Sequence, residues 1–206
     1  MHSENYFDPA EEEVLSSRYG PTLRRDSLFA LNEIAYDYWQ MAISNRRAEV
    51  VLAVQRPGGE LLFHRKESYP PGTYRLPSGG IGREETVLDA LAREQWEELG
   101  QRLPPAAMPG LIHYRLCRDG TEIPFASYLF LLRPEGEVTP TVHDPNEAIA
   151  EFRWLGPAEL PAVSGHLRGL VPAWRNWGRY RAIAHDLLAE FLGVHPAGPE
   201  ILEMRL

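Results

Sequence analysis

Acidic side chains crowd one short stretch of this sequence. Residues 79–100 read GGIGREETVLDALAREQWEELG, with Gly79, Glu85, Arg93, Glu94, Glu97, Glu98 and Gly100 at fixed intervals. Glu94, Glu97 and Glu98 stand at i, i+3 and i+4, so on a helix their carboxylates converge within one turn. Unneutralised, such neighbours repel by about 0.2–0.5 kcal/mol per pair, which a solvated surface tolerates. A polar outer helix face therefore accounts for Glu97 and Glu98 taken alone. It leaves the glycine-rich lead-in, Arg93 and Glu85 as coincidences. A divalent-cation site accounts for all of them. Magnesium takes hard oxygen ligands and binds through a few carboxylates plus substrate phosphates. Gly79, Gly80 and Gly82 are the residue type that lets backbone approach a phosphate chain closely or take a positive φ. The guanidinium fork of Arg93 can hold a carboxylate.

These residues need a helix under them. Glu84 and Glu85 are expected in its first turn, where they favour the dipole, and Gly100 falls at a left-handed C-terminal cap. Leu88, Leu91, Ala92 and Leu99 form an apolar stripe, with the glutamates on the opposite face. Gln95 lies within the apolar stripe and needs a hydrogen-bond partner if buried.

Around the helix the chain carries both strand and helix signals. A short helix is expected around 10–17. A second, over 23–41, is capped by Asp26 or Ser27 and carries a stripe of Leu28, Leu31, Ile34, Ala35, Tyr38 and Met41. Runs 49–55 and 61–64 flank the turn residues Arg56-Pro57-Gly58-Gly59 and read as a hairpin. Runs 111–118 and 123–133 flank Asp119-Gly120 and read as another. The segment 134–146 is a long polar loop, of a length that is often functional, and 150–155 is a last strand. Pro157 suits the start of a short helix over 156–160. Residues 173–191 carry a helical stripe that includes Trp174 and Trp177, ended by Gly193 and Pro196, and 200–206 reads as a tail. Mixed rather than alternating elements give an α/β fold with a mixed sheet.

The 206 residues suit one domain with embellishments, and the net charge is −8. That charge argues against a protein that coats long nucleic acid. The single cysteine, Cys117, excludes an intrachain disulfide and fits a reducing compartment. No apolar run is long enough to span a bilayer, and the polar start, 1–8, lacks a signal layout. A cytoplasmic protein is expected.

Residues 79–100 resemble the Nudix box, the signature of the Nudix hydrolases. All of its fixed polar and glycine letters match, while two hydrophobic positions are occupied by Gln95 and Gln101. The similarity extends over roughly 49–160. It implies an α/β/α sandwich with a mixed sheet, here with added N- and C-terminal helices. The parts are then an N-terminal arm and helix (1–45), the hydrolase domain (46–165) and a helical extension of it (166–206).

The implied activity is hydrolysis of a nucleoside diphosphate linked to another moiety, with Mg²⁺ or Mn²⁺ held by Glu94, Glu97 and Glu98. Arg93 would orient the catalytic glutamate, and Glu85 would hold the loop–helix–loop together with Gly79 and Gly100. The general base is Glu94, or a loop residue such as Glu147 or Glu151. A basic, aromatic segment beside the box (His64, Arg65, Lys66, Tyr69, Tyr74, Arg75) offers substrate contacts, with Arg65, Tyr69 and Arg75 foremost. It could equally be an exposed loop of solvated cations. Trp174 and Trp177 read as core or dimer contacts, and the N-terminal stripe leaves room for a homodimer.

Two other readings stay open. A catalytically silent nucleotide-binding or regulatory module is expected to carry a damaged box, and this one keeps its carboxylates. A diphosphate isomerase on the same fold needs a catalytic cysteine, and Cys117 lies on a predicted strand.

Overall fold

The computed structural model describes residues 8–20 and 22–194. The polar segment 1–7, the expected helix stop Pro196 and the 200–206 tail lie outside the described residues. Asp8 caps α1 (Pro9–Tyr19) by accepting the Ala10 N–H at 2.9 Å. Next comes a correction: β1 (Leu23–Ala30) occupies the first part of the helix expected over 23–41. Its side chains alternate between half-buried and exposed, a period of two, and it pairs in parallel with a distant strand. The helix is α2 (Glu33–Asn45), capped by Asn32 rather than by Asp26 or Ser27. The expected stripe is only partly used. Leu31 is buried, but Leu28, Ile34 and Met41 are 63%, 75% and 75% exposed, and α2 buries Trp39 and Ala42 instead.

The run 49–55 lies in β2 (Arg46–Val54), followed by β3 (Leu61–Lys66). These do not form the expected hairpin. A single bridge, Gln55 to Leu61, joins the two runs, and β3 belongs to another sheet. A strand not expected from sequence, β4 (Ser78–Gly82), then pairs antiparallel with β2. It leads into α3 (Val87–Leu99), whose cap is Thr86, so Glu84 and Glu85 precede the helix instead of opening it. Strands β5 (Pro105–Arg118) and β6 (Thr121–Leu132) form the expected hairpin. Its turn residues Asp119 and Gly120 have φ of 48° and 80°, as a type I′ turn demands. Last come β7 (Ile149–Leu155), α4 (Leu160–Arg168) and α5 (Arg175–Phe191). Gly193, at φ 68°, ends α5, and the Val194 N–H donates to the Ala189 carbonyl at 2.8 Å.

One sheet runs β1-β5-β6-β2-β4, and β3 with β7 makes a second. Parallel pairs (β1 with β5, β2 with β6) and antiparallel pairs make the larger sheet mixed. From β2, Val51 and Ala53 join a core with α2 and α5, whereas Val50, Leu52 and Val54 join another with α1 and α3. The sheet is thus buried on both faces, which explains why 50–54 is apolar without alternation. The expected α/β/α layering is the observed one. Among the described residues no helix is long and apolar enough to cross a membrane.

Candidate active site

Two of the three clustered α3 glutamates, Glu94 and Glu98, do not face solvent, while Glu97 is half-exposed. Glu94 and Glu98 are 4% and 0% exposed, on a side of α3 covered by neighbouring strands and the 134–147 loop. The periodicity places them opposite the apolar stripe, and the structure buries that side of α3 as well. The close approach comes from β4: a Cβ at Gly79 would sit 1.6 Å from the Glu94 carboxyl carbon, so only glycine leaves room for that carboxylate. Gly79, Gly80 and Gly82 have no positive φ, so close approach, and not backbone freedom, explains Gly79.

Arg93 ties the stretch together. Its Nε and Nη2 donate to the two Glu85 oxygens, each at 2.9 Å. Its Nη1 donates to Glu94 at 2.7 Å and to Glu97 at 2.8 Å, and its Nη2 also donates to the Gly80 carbonyl at 2.7 Å. Glu85 in turn accepts the Gly82 N–H at 3.0 Å. The Arg93 guanidinium holds the Glu85 carboxyl below its ordinary value. Glu85 therefore staples the turn between β4 and α3.

Glu94, Glu98 and Glu147 each offer an oxygen within 4.8 Å of the others'. Glu147 reaches them because the loop 134–146 docks on the end of α3. The His143 and Asp144 N–H groups donate to the Glu97 carbonyl at 2.8 and 3.2 Å, and the Thr141 N–H donates to the Leu99 carbonyl at 3.0 Å. These bonds satisfy helix-terminal acceptors and fix the short 3-10 turn, Pro145–Glu147, that carries Glu147. Lys66 donates to Glu147 at 2.5 Å. Glu97 instead bonds Arg93 and stands outside this group. Glu151 is held elsewhere, by the Tyr74 hydroxyl at 2.6 Å and by Arg153 at 3.1 Å.

Burial strongly perturbs the acid–base groups of the site. Burial lifts the Glu94 carboxyl to about 7, although Arg93 opposes it. Burial lifts Glu98 well above the carboxylate range. Both Glu98 oxygens are buried with no hydrogen-bond partner, as are both ring nitrogens of His64, whose Nδ1 lies 3.8 Å from Glu98. Burial, helped by Arg75, Lys66 and Arg181, holds His64 well below the imidazole range. A buried carboxylate without a partner is costly. A hard divalent cation would satisfy it, and the all-oxygen donor set suits Mg²⁺ or Mn²⁺. The residues present fit the group.

Glu94 and Glu147 line a cavity of about 590 Å³, and Glu98 lies beside them. Tyr69 and Arg75 line it, as the basic segment's reading expected, but Arg65 does not and lies 3.6 Å from Glu151. Arg75 is buried. It donates to the Tyr69 hydroxyl at 2.7 Å, and to the Leu76 carbonyl and Ser78 hydroxyl at 2.8 Å each. Sequence reasoning missed the far wall, which α2, the turn before α5 and the first half of α5 supply: Tyr38, Trp39, Trp174, Trp177 and Arg181. Trp174 and Trp177 do pack on Leu167, Leu170 and Ala182, but they also face the cavity. Their helical spacing signals burial and says nothing of a cavity beside it.

Comparison with known proteins finds relatives of this chain. A family model described as NUDIX domain matches residues 45–174. An RNA pyrophosphohydrolase from Erythrobacter litoralis is 28% identical over 155 residues, 68% of this chain and 89% of that protein. The phosphatase NudJ of Escherichia coli strain K12 is 30% identical over 122 residues, 59% of this chain and 76% of that protein. Among solved structures, a MutT NUDIX hydrolase from Burkholderia pseudomallei aligns with 68% of this chain and 95% of its own, at 23% identity and a TM-score of 0.47.

Proposed function

The chain belongs to the NUDIX domain family of hydrolases, and from that premise we propose that it is a metal-dependent pyrophosphohydrolase acting on a small nucleoside diphosphate derivative. One observation carries the reading: Glu98 is buried and unpartnered beside Glu94 and Glu147, which line a cavity large enough for a small-molecule substrate. Glu94, Glu98 and Glu147 would hold the ion. Glu97 joins them, as the Nudix resemblance implies, only by leaving Arg93. When bound, a divalent ion supplies positive charge against the diphosphate and acidifies water in the site.

The chain's own groups do the rest. Gly79 and Gly80 line the cavity next to Glu94, where backbone can lie along the diphosphate. Arg93 holds the Glu94 carboxylate in place, and Arg75 and Lys66 set positive charge along the same wall. Glu147 accepts the proton of the attacking water. The water oxygen bonds to phosphorus, the phosphoanhydride P–O bond breaks, and a nucleoside phosphate leaves. Glu151, held by Tyr74 and Arg153, takes no part.

The test is a screen of nucleoside diphosphate sugars, ADP-ribose, dinucleoside polyphosphates, NADH, coenzyme A and nucleoside triphosphates with Mg²⁺ and Mn²⁺. Glu98→Gln is expected to lower turnover by about three orders of magnitude or more, the scale of a group acting in the transition state. Glu147→Gln is expected to reduce kcat strongly and Glu151→Gln to leave it unchanged. Full activity of Glu98→Gln would overturn the assignment. Nucleotide binding without turnover of any substrate would identify a silent binding module instead.

A further inference from the structure

The cavity has a second end that the hydrolytic groups do not use. Tyr69, Trp174 and Trp177 meet there, with ring centroids 4.7 Å (Tyr69 to Trp177), 5.2 Å (Trp174 to Trp177) and 6.0 Å (Tyr69 to Trp174) apart. Their planes meet at 57°, 84° and 71° respectively, so none is stacked flat on another. All are half-buried and line the cavity, with Tyr38 and Trp39 opposite. An aromatic group on the wall of a cavity, with ring area left uncovered, is a surface on which a planar ligand gains by stacking.

This end connects directly to the carboxylates. The Tyr69 hydroxyl accepts from Arg75, and Arg75 donates to Ser78, the residue before Gly79. The Tyr69 ring also meets His64 edge-on at 6.4 Å, and His64 stands beside Glu98. Between the two ends, Arg181 reaches Ser78 at 2.9 Å and Glu49 at 2.8 Å through Nη1, while its Nε is buried and has no partner. The wall therefore has an aromatic end, a cationic middle and an acidic end, and the cavity size suits one small molecule.

We propose that Tyr69, Trp174 and Trp177 form a nucleobase subsite, and that the substrate is a small nucleotide whose base stacks there while its diphosphate lies toward Glu94, Glu98 and Glu147. The inference rests on the hydrolytic reading for the direction of the diphosphate, but not for the stacking itself. Trp177, Arg181, Tyr38 and Trp39 all lie outside the segment 45–174 that matches the family. Trp177 comes from the flanking helix α5, while Tyr69, Trp174 and the carboxylates lie within the family segment. Stacking alone gives affinity with little choice among bases, so the subsite selects nucleotides over base-free phosphates more strongly than it selects one base.

The test is calorimetric titration of the full chain with AMP and, separately, ribose 5-phosphate, first in EDTA and then in MgCl₂. AMP is expected to bind at least about tenfold tighter than ribose 5-phosphate. Trp177→Ala should lose about tenfold or more of the AMP affinity and leave ribose 5-phosphate unchanged, and Trp177→Phe should restore most of it. With a substrate from the screen, Trp177→Ala should raise KM and hold kcat. Equal affinities for the two ligands in both buffers would overturn the proposal whatever the variants do. So would unchanged AMP affinity in a Trp177→Ala protein with a native circular dichroism spectrum. If Trp177→Ala does not fold, Tyr69→Leu replaces it and the same outcomes decide. AMP binding without turnover of any diphosphate would sink the hydrolytic reading and leave the subsite standing. Turnover abolished by Glu98→Gln, with AMP bound no better than ribose 5-phosphate, would sink the subsite alone.

Discussion

Gln95 interrupts the aliphatic run on the buried side of α3, and it is 2% exposed. Its Oε1 accepts the Leu103 N–H at 2.6 Å, which pins the segment leaving the helix. The departure from the Nudix pattern is therefore a local tie and leaves the carboxylates undisturbed. Gln95→Leu removes the acceptor. The Leu103 amide is expected to exchange about tenfold faster with solvent, the loss of roughly one hydrogen bond, while kcat holds. Hydrogen exchange with a parallel rate assay checks both. Gly79 behaves differently. Its Cβ has no room beside the Glu94 carboxylate, so Gly79→Ala must displace that group. Turnover is expected to fall about a hundredfold, the cost of misplacing a reacting group by roughly 1 Å. A melting temperature near wild type, with activity unchanged, would show that Glu94 needs no such placement.

Between elements, one buried cluster sets the position of α5 against the sheet. Glu49 of β2 accepts from Ser127 of β6 at 2.7 Å, and from Tyr180 and Arg181 of α5 at 2.7 and 2.8 Å. Burial pushes the Glu49 carboxyl up, but the Arg181 charge and these hydrogen bonds outweigh it and hold the group below its ordinary value. Glu49→Gln leaves the Arg181 guanidinium buried without a counter-charge, at an expected cost of about 3 kcal/mol or more. Urea unfolding measures this. A depressed folded-state pKa contributes stability that is present above the unfolded value and lost as pH falls through the folded one. The variant should therefore also lose the part of the acid-side decline that Glu49 causes. His185 adds a second tie, accepting the Leu76 N–H at 3.1 Å on the segment that leads into β4. Helix α5 thus holds both the aromatic end of the cavity and the approach to Gly79.

For the whole molecule, the acidic site opposes folding when no cation is bound. Glu94 titrates near 7 and Glu98 well above the ordinary 4.5, both because they are buried. The folded chain binds these protons more tightly than the unfolded chain. That stability is fully present below pH about 4.5 and is lost as pH rises through about 7 and beyond. In EDTA the melting temperature is expected to fall between pH 5 and pH 8. MgCl₂ should raise it more at pH 8 than at pH 5, because binding to the folded state alone stabilises by mass action. Glu98→Gln should flatten the EDTA profile and reduce the Mg²⁺ response. Thermal scans at the two pH values, with and without Mg²⁺, check this. A flat EDTA profile in the wild type would show that the burial of these carboxylates is relieved in another way.

Residues 79–100 were legible in sequence because their chemistry is local: spacing on one helix brings Glu94 and Glu98 together, and Gly100 adopts the left-handed cap with φ 71°. The β5–β6 hairpin was legible for the same reason, since its turn residues determine its geometry. Other features depended on partners far along the chain. Strand β1 exists because it pairs with β5, and its mixed pattern read as helix without that pairing. Strand β3 leaves the expected hairpin to pair with β7, which a short apolar run cannot announce. Glu147 joins Glu94 and Glu98 only because the 134–146 loop caps α3. The tryptophans of the cavity wall read as core from their spacing, and half of that reading holds. The sequence alone brought Glu85, Arg93, Glu94 and Glu98 together, because their spacing lies within one helix and its lead-in. Only the tertiary structure decided that the acidic face is buried, which loop glutamate reaches it, and that the flanking helices face the substrate cavity, because each depends on packing between segments distant in the chain.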